Sequence, residues 1–310
     1  ETDGEDGNSG PATKRYVDAE LTLDPPLATN EVEDVHTFTA TLKVSGEAAV
    51  SETVTFTLSG KGSFVNGVDS CQTDGAGQCN VYIESSEAGE TTVEANWNGQ
   101  VDTVSFGLRD TGKKTWVDGE IEITPGEATN AVGEPHTFVI TATALGAEPS
   151  DWAITPSVEG TPVPTKSHTC DQPDEADDGK SATCTVTITS TETGVFTASA
   201  VAELTFDDGV VVTVETDGED GNSGPATKRY VDSSITIVKD AVPDGPEVFA
   251  FSSTFTGPFS LQDGNGGTKS ITFDGLGRGT YMVTETQEAG WELTGIVCDG
   301  ESNVDVDGGT

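Results

Sequence analysis

Residues 1 to 18, ETDGEDGNSGPATKRYVD, recur without a single change as residues 215 to 232. A shortened relative, TGKKTWVD at 111 to 118, keeps the second half and drops the acidic one. Self-similarity of this kind is the mark of a chain built from repeated units, and it limits the fold more than any single motif does. Each copy leads into a β-like run: AELTL from Ala19, GEIEI from Gly119 and SSITIV from Ser233. Beyond the first two starts, ATNEVEDVHTFTATL from Ala28 parallels ATNAVGEPHTFVITA from Ala128 at a spacing of 100 residues. The copies therefore read as domain starts. They give an acidic linker over 1–13, a domain over 14–110, a related domain over 111–214, a second acidic linker over 215–227 and a third domain over 228–310. Three domains of about 100 residues each suit a chain of this length.

Within each copy, apolar and small polar residues alternate. Thr37-Phe38-Thr39-Ala40-Thr41-Leu42, Val54-Thr55-Phe56-Thr57-Leu58 and Thr92-Val93-Glu94-Ala95 all have a period of two and are rich in Thr and Val. That is the pattern of strands with one buried face. Clusters of Gly, Asp and Asn interrupt the runs about every ten residues, the spacing of an antiparallel sandwich. Helical periodicity does not extend beyond a turn or two. The expected fold is all-β, a tandem array of antiparallel β-sandwiches.

The charge balance removes several functions. Asp and Glu total 54 against 14 Lys and Arg, a formal charge of −40, so a phosphate backbone is repelled and nucleic acid is not a partner. Such acidity suits a protein kept soluble in high salt, or one that recruits divalent cations to carboxylates. No stretch of about 20 apolar residues exists to span a membrane. The five cysteines fall as two close pairs and one single. Cys71 and Cys79 bracket the DGAG turn, and Cys170 and Cys184 bracket DQPDEADDGKSAT. Pairs flanking turns between strand-like runs favour hairpin disulfides and an oxidising compartment. Free thiols or a zinc site are the alternative, but neither a CxxC spacing nor a histidine cluster completes a tetrahedral site. Cys298 is left without a partner in the chain.

Chemistry has few candidates. His36, His136 and His168 are the conventional general bases, and the first two occupy the same repeat position, which reads as structural. No GxSxG, HExxH, P-loop or GxGxxG context occurs, so the chain is expected not to be an enzyme. The acidic half of the repeat sets Asp3, Glu5, Asp6 and Asn8, and again Asp217, Glu219, Asp220 and Asn222, around glycines that permit tight turns. Calcium takes about six to eight oxygens from such loops, so these residues are the candidate calcium ligands and calcium the one candidate cofactor. The alternative is a solvated, flexible linker. A second cluster, Asp171, Asp174, Glu175, Asp177 and Asp178, reads as a solvated loop. Lys14, Arg15 and Tyr16, with their copies Lys228, Arg229 and Tyr230, are expected to grip the acidic edge of a neighbouring domain and stiffen the joint.

The run LTLDPPLATNEVEDVHTFTATL, followed by VTFTLSG and SCQTDGAGQCNVYI, resembles bacterial immunoglobulin-like domains of the invasin and adhesin type, over about residues 14 to 214. The third segment carries GLGRGTYMVTETQEAGW at 275 to 291 and resembles the prealbumin-like, collagen-adhesin B-type domains of surface adhesins and pilins. That second resemblance implies an isopeptide bond from Lys239 to an Asn or Asp on the last strand, assisted by Glu285. It also implies a closing strand that is not visible before Thr310. The third domain is therefore expected to be completed by residues outside 1–310, supplied by the same polypeptide or by a neighbouring subunit, with a partner there for Cys298. Together the resemblances imply a structural segment of an extracellular or cell-surface filament, pilus-like fibre or adhesin stalk, contacting flanking domains or other copies of itself head to tail. A ligand-binding adhesin module that recognises carbohydrate or protein through sandwich-end loops is the alternative.

Overall fold

A computed structural model describes residues 10, 13–264, 266–276 and 279–298. The fold is all-β and antiparallel sheets dominate it, as the alternation requires. Among the described residues, helix is limited to two single 3-10 turns, Val65–Gly67 and Asp207–Gly209.

The first sandwich opposes two sheets. One orders the strands Ala19–Asp24, His36–Val44, Gln78–Glu84 and Ser63–Phe64; the other contains Leu27–Glu31, Val104–Thr124, Gly89–Val101, Thr53–Gly60 and Ser70–Gln72. The period of two decides what meets between them. In His36–Val44 the side chains of Phe38, Ala40 and Leu42 are fully buried, while the intervening threonines lie on the outer face. Phe38 stands opposite Val81 and Ala40 opposite Cys79. Burial of each large apolar side chain contributes about 1.5–3 kcal/mol. The second sandwich repeats this arrangement: Phe138, Ile140 and Ala142 of His136–Leu145 stand opposite Val186, Cys184 and Ala182. The third domain is smaller, with Ser233–Val238 paired to Ser270–Leu276 and Phe249–Ser253 flanked by Phe259–Leu261 and Val283–Glu285. Ala241, Phe249, Phe251 and Leu261 form its core, and Trp291 meets Phe249 edge-on at 5.2 Å.

The joint between the first two sandwiches is a single strand. Val104–Thr124 runs 21 residues without a break. Its first part pairs antiparallel with Gly89–Val101 and parallel with Leu27–Glu31 in the first sandwich; from Asp118 onward it pairs with His136–Leu145 in the second. Trp116 lies in the first core and its neighbour Val117 in the second. The TGKKTWVD segment thus closes the sandwich before it as well as leading into the one after it. ATKRYVD does the same at 226–232: Ala226–Val231 pairs with Glu127–Ala131 and Gly194–Thr205, and Tyr230 is buried in the second core. Alternation shows that such a segment has an inner face but not which of two adjacent sandwiches receives it. That choice is a matter of long-range pairing.

Candidate functional sites at the domain junctions

In both junction strands the alternation sends one lysine and one aromatic ring inward. Lys114 and Trp116 in the first, and Lys228 and Tyr230 in the second, are at most 1% exposed. The ammonium nitrogen of Lys114 lies 4.8 Å from the Trp116 ring centroid, and that of Lys228 lies 4.9 Å from the Tyr230 ring. Each ring has a polar anchor: Trp116 Nε1 donates to Thr91 Oγ1 at 2.9 Å, and Tyr230 Oη donates to the Ile188 carbonyl at 2.8 Å. A grip on an acidic edge, expected for Lys228 and Tyr230, is not what the pair does, because both residues point into the sandwich that their strand closes. The outward residue of the trio, Arg229, keeps its side chain in solvent.

A histidine flanks each buried lysine. His36 packs edge-on against Phe38 at 4.7 Å and His136 against Phe138 at 4.6 Å, the same contact in both copies. The Nε2 atoms of both histidines and Nζ of Lys228 are buried without a hydrogen-bond partner among the described residues; Lys114 Nζ donates to the Thr115 carbonyl at 3.3 Å. Burial lowers Lys114 to about 7, against the pull of Asp34 and Asp208, and lowers Lys228 to about 8. His36 falls to about 4 through burial and, second, through the charge of Lys114; His136 falls for the same two kinds of reason, with Lys228 as its cation. Each neutral imidazole therefore tolerates a nearby ammonium that a charged one would repel.

The junction segments also cap the first strand of their own sandwiches. In the first, Leu23 N donates to Asp110 Oδ2 at 2.7 Å. In the second, the acidic repeat provides the caps: Ile121 N donates to Asn222 Oδ1 and Ile123 N to Ser223 Oγ, both at 2.9 Å. Ser223 N returns a bond to the Ile121 carbonyl. Edge strands with unpaired backbone groups invite unwanted pairing, and these contacts occupy part of that edge. In sequence alone the segment reads as a linker or calcium loop, and this role is not visible there. The available signal was that Asn-Ser-Gly stands at the same distance before KRYVD in both acidic copies. Of the candidate ligands, Asn222 spends its side-chain oxygen on Ile121, while Asp217 Oδ1 accepts from Glu219 N. Asp3, Glu5, Asp6 and Asn8 lie outside the described residues. Among the described residues, no three Asp, Glu, His or Cys side chains converge as a metal site would require.

The remaining sequence candidates are placed as follows. Disulfides join Cys71 to Cys79 and Cys170 to Cys184, while Cys298 is exposed and free. In the second acidic cluster, Asp174–Glu175 forms a short exposed strand along Ser181–Thr189. Lys239 Nζ lies 2.8 Å from Glu285 Oε1, with the two side chains 11% and 15% exposed, and 4.1 Å from the Phe249 ring centroid. The acceptor strand expected after Cys298 falls outside the described residues. Among the described residues, no helix is long and apolar enough to cross a membrane.

The fold and junctions define the class: a tandem array of β-sandwiches joined by strands that close one unit and lead into the next. Solved structures similar to it include the Escherichia coli adhesin FdeC, at 17% identity and a TM-score of 0.35, covering 88% of this chain and 94% of that one. The D0-D1 domain of intimin is similar at 21% identity and a TM-score of 0.26, covering 67% and 97%. The ICAM-5 D1-D4 ectodomain fragment is similar at 12% identity and a TM-score of 0.41, covering 88% and 76%. No family model and no curated protein matches the chain.

Proposed function

We propose that the chain is a tension-bearing segment of an extracellular or cell-surface stalk. One observation carries this reading. In each of the first two sandwiches the closing strand runs parallel to a strand near the point of entry, over five residue pairs: Leu27–Glu31 with Lys113–Val117, and Glu127–Ala131 with Thr227–Val231. Pulling on the two ends of a sandwich drags one of these strands backward and the other forward. The ladder hydrogen bonds lie across that direction, so they resist together instead of opening one at a time. At the first junction the load passes from sandwich to sandwich along one continuous strand. The two disulfides suit the oxidising compartment in which such a stalk would work.

Single-molecule pulling on the full chain tests this. Two high-force events of similar size are expected, each releasing about 300 Å for roughly 100 residues at about 3.3–3.6 Å per residue. Thr129→Pro, which disturbs the parallel pair of the second sandwich, should lower the force of one event and spare the other. Uniformly low forces, or forces insensitive to that change, would count against the reading.

The third domain supports the same role if its ion pair is completed covalently. The Lys239 amine would attack a side-chain amide or carboxyl carbon of an Asn or Asp, forming a C–N bond and releasing ammonia or water, with Glu285 carrying the proton. Intact-mass measurement should then show a deficit of one ammonia or one water, abolished by Lys239→Arg.

A further inference from the structure

We infer that residues Thr13–Val17 are the closing strand of a further β-sandwich of the second domain's kind, one that lacks a closing strand of its own. The inference is independent of the tension-bearing role. Its ground is one sequence seen in two environments. In Ala226–Val231 the side chains of Ala226, Lys228 and Tyr230 are buried between two neighbours, Glu127–Ala131 running parallel and Gly194–Ala198 antiparallel. Tyr230 meets Phe196 edge-on at 5.6 Å and donates to Ile188 O. In the identical run at the start of the chain, Lys14 is exposed and Tyr16 is 86% exposed. The two still stack, at 5.6 Å, but no sandwich covers them. Arg15 makes a surface ion pair with Asp102 at 3.1 Å, a contact worth little in solvent.

The partner's chemistry follows from the filled copy. It offers a slot flanked by one parallel and one antiparallel strand, an aromatic edge like that of Phe196 and a backbone carbonyl like that of Ile188. The register at all three junctions is the same. Lys, one residue, an aromatic, Val and Asp precede the next first strand at Ala19, Gly119 and Ser233. In the two described examples the aromatic belongs to the preceding core. Leaving a tyrosine in water forgoes a burial of about 150–250 Å² that the same sequence achieves elsewhere in this molecule.

The full chain can supply the missing partner. Tyr230→Glu places an unpaired carboxylate in the second core and dislodges that sandwich's own closing strand, leaving its slot open to residues 13–17 of another copy. In added salt, which screens the acidic surfaces, the variant is expected to assemble with rising concentration until its apparent mass at least doubles. Adding Tyr16→Glu should return it to the monomer. A peptide of residues 1–18, added to the Tyr16→Glu/Tyr230→Glu chain, should restore the lost melting transition, and the same peptide with Glu in place of its tyrosine should not. Either Tyr16-dependent result supports the assignment. It is overturned if neither assembly nor rescue occurs, or if whichever occurs is indifferent to the residue at position 16.

Discussion

The two described junctions solve one problem with different parts. At the first, a tryptophan fills the end of the core, Asp110 caps the first strand, and the chain crosses between sandwiches without a break. At the second, a smaller tyrosine fills the same place and Asn222 and Ser223 of the acidic repeat provide the caps. The strand there stops at Val231 before the next begins at Ser233. Gly146 shows how closely the first joint is packed: at φ 86 it shares the left-handed geometry of its counterpart Gly46 at φ 81, and a methyl group on it would lie 2.0 Å from the Trp116 carbonyl oxygen. The buried lysine and its histidine are common to both junctions. They belong to the fold of the repeat, whereas ring size, cap and continuity are what each joint varies.

Substitutions can break that comparison. The largest effect is expected from Trp116→Ala, which removes the fully buried ring and should cost about 3–5 kcal/mol in the first sandwich, leaving the second transition in calorimetry nearly unmoved. Tyr230→Ala should do the converse. Tyr230→Phe, which forfeits only the bond to Ile188 O, should cost about 1 kcal/mol.

Lys114→Met comes next and acts in the opposite direction. A lysine whose folded pKa is depressed from 10.5 to about 7 opposes folding in full below pH 7, and the opposition is relieved as pH rises toward 10.5. Methionine in its place should stabilise the first sandwich by about 1–3 kcal/mol at pH 7 and by less above pH 10. For Lys228 the window opens at about 8, so Lys228→Met should show the same sign with a later fall-off. Destabilisation by either change at neutral pH would show that the ammonium's contact with its ring outweighs its burial.

The histidines sharpen the comparison from the acid side. His36 is held at about 4 against 6.5 unfolded, so the unfolded chain binds a proton first and stability falls as pH drops from about 6.5 to 4, then levels. Because the ring is only partly shielded, the loss is expected to be about 1–2 kcal/mol. Denaturant melts of His36→Asn across that range should lack this component. The smallest effects belong to the caps: Asp110→Ala and Ser223→Ala each leave one first-strand amide without its partner and should cost about 1 kcal/mol in their own sandwich. Equal losses would make the two caps equivalent despite their different chemistry.

Much of this was legible in the chain. The strands of the first two domains follow from alternation, since a period of two has one buried face whatever the partner, and Phe38 and Phe138 were bound to be internal. The cysteines of each pair are close enough in sequence for local bridging, and both pairs are bonded; Cys71 and Cys79, however, stand on strands of the two opposing sheets, so their bond ties sheet to sheet and not the two arms of a hairpin. The Lys239 and Glu285 positions, implied by resemblance, do meet. The site at the junctions was not legible. Lys228 reads as a surface cation in any composition-based argument, because burying an ammonium is costly and sequence gives no hint that a sandwich encloses it. Asn222 and Ser223 read as linker because their value lies in amides about 100 residues away.

By itself the sequence determined the local periods, the repeat spacing and which residues recur together, all properties of neighbours along the chain. Only the tertiary structure decided that Lys114–Val117 and Lys228–Val231 close the sandwich behind them, that both lysines are buried, and that Asn222 and Ser223 cap an edge. Those outcomes depend on pairings between residues 86 and 100 positions apart, where a strand's alternation fits more than one partner and long-range hydrogen bonding and core packing select among them.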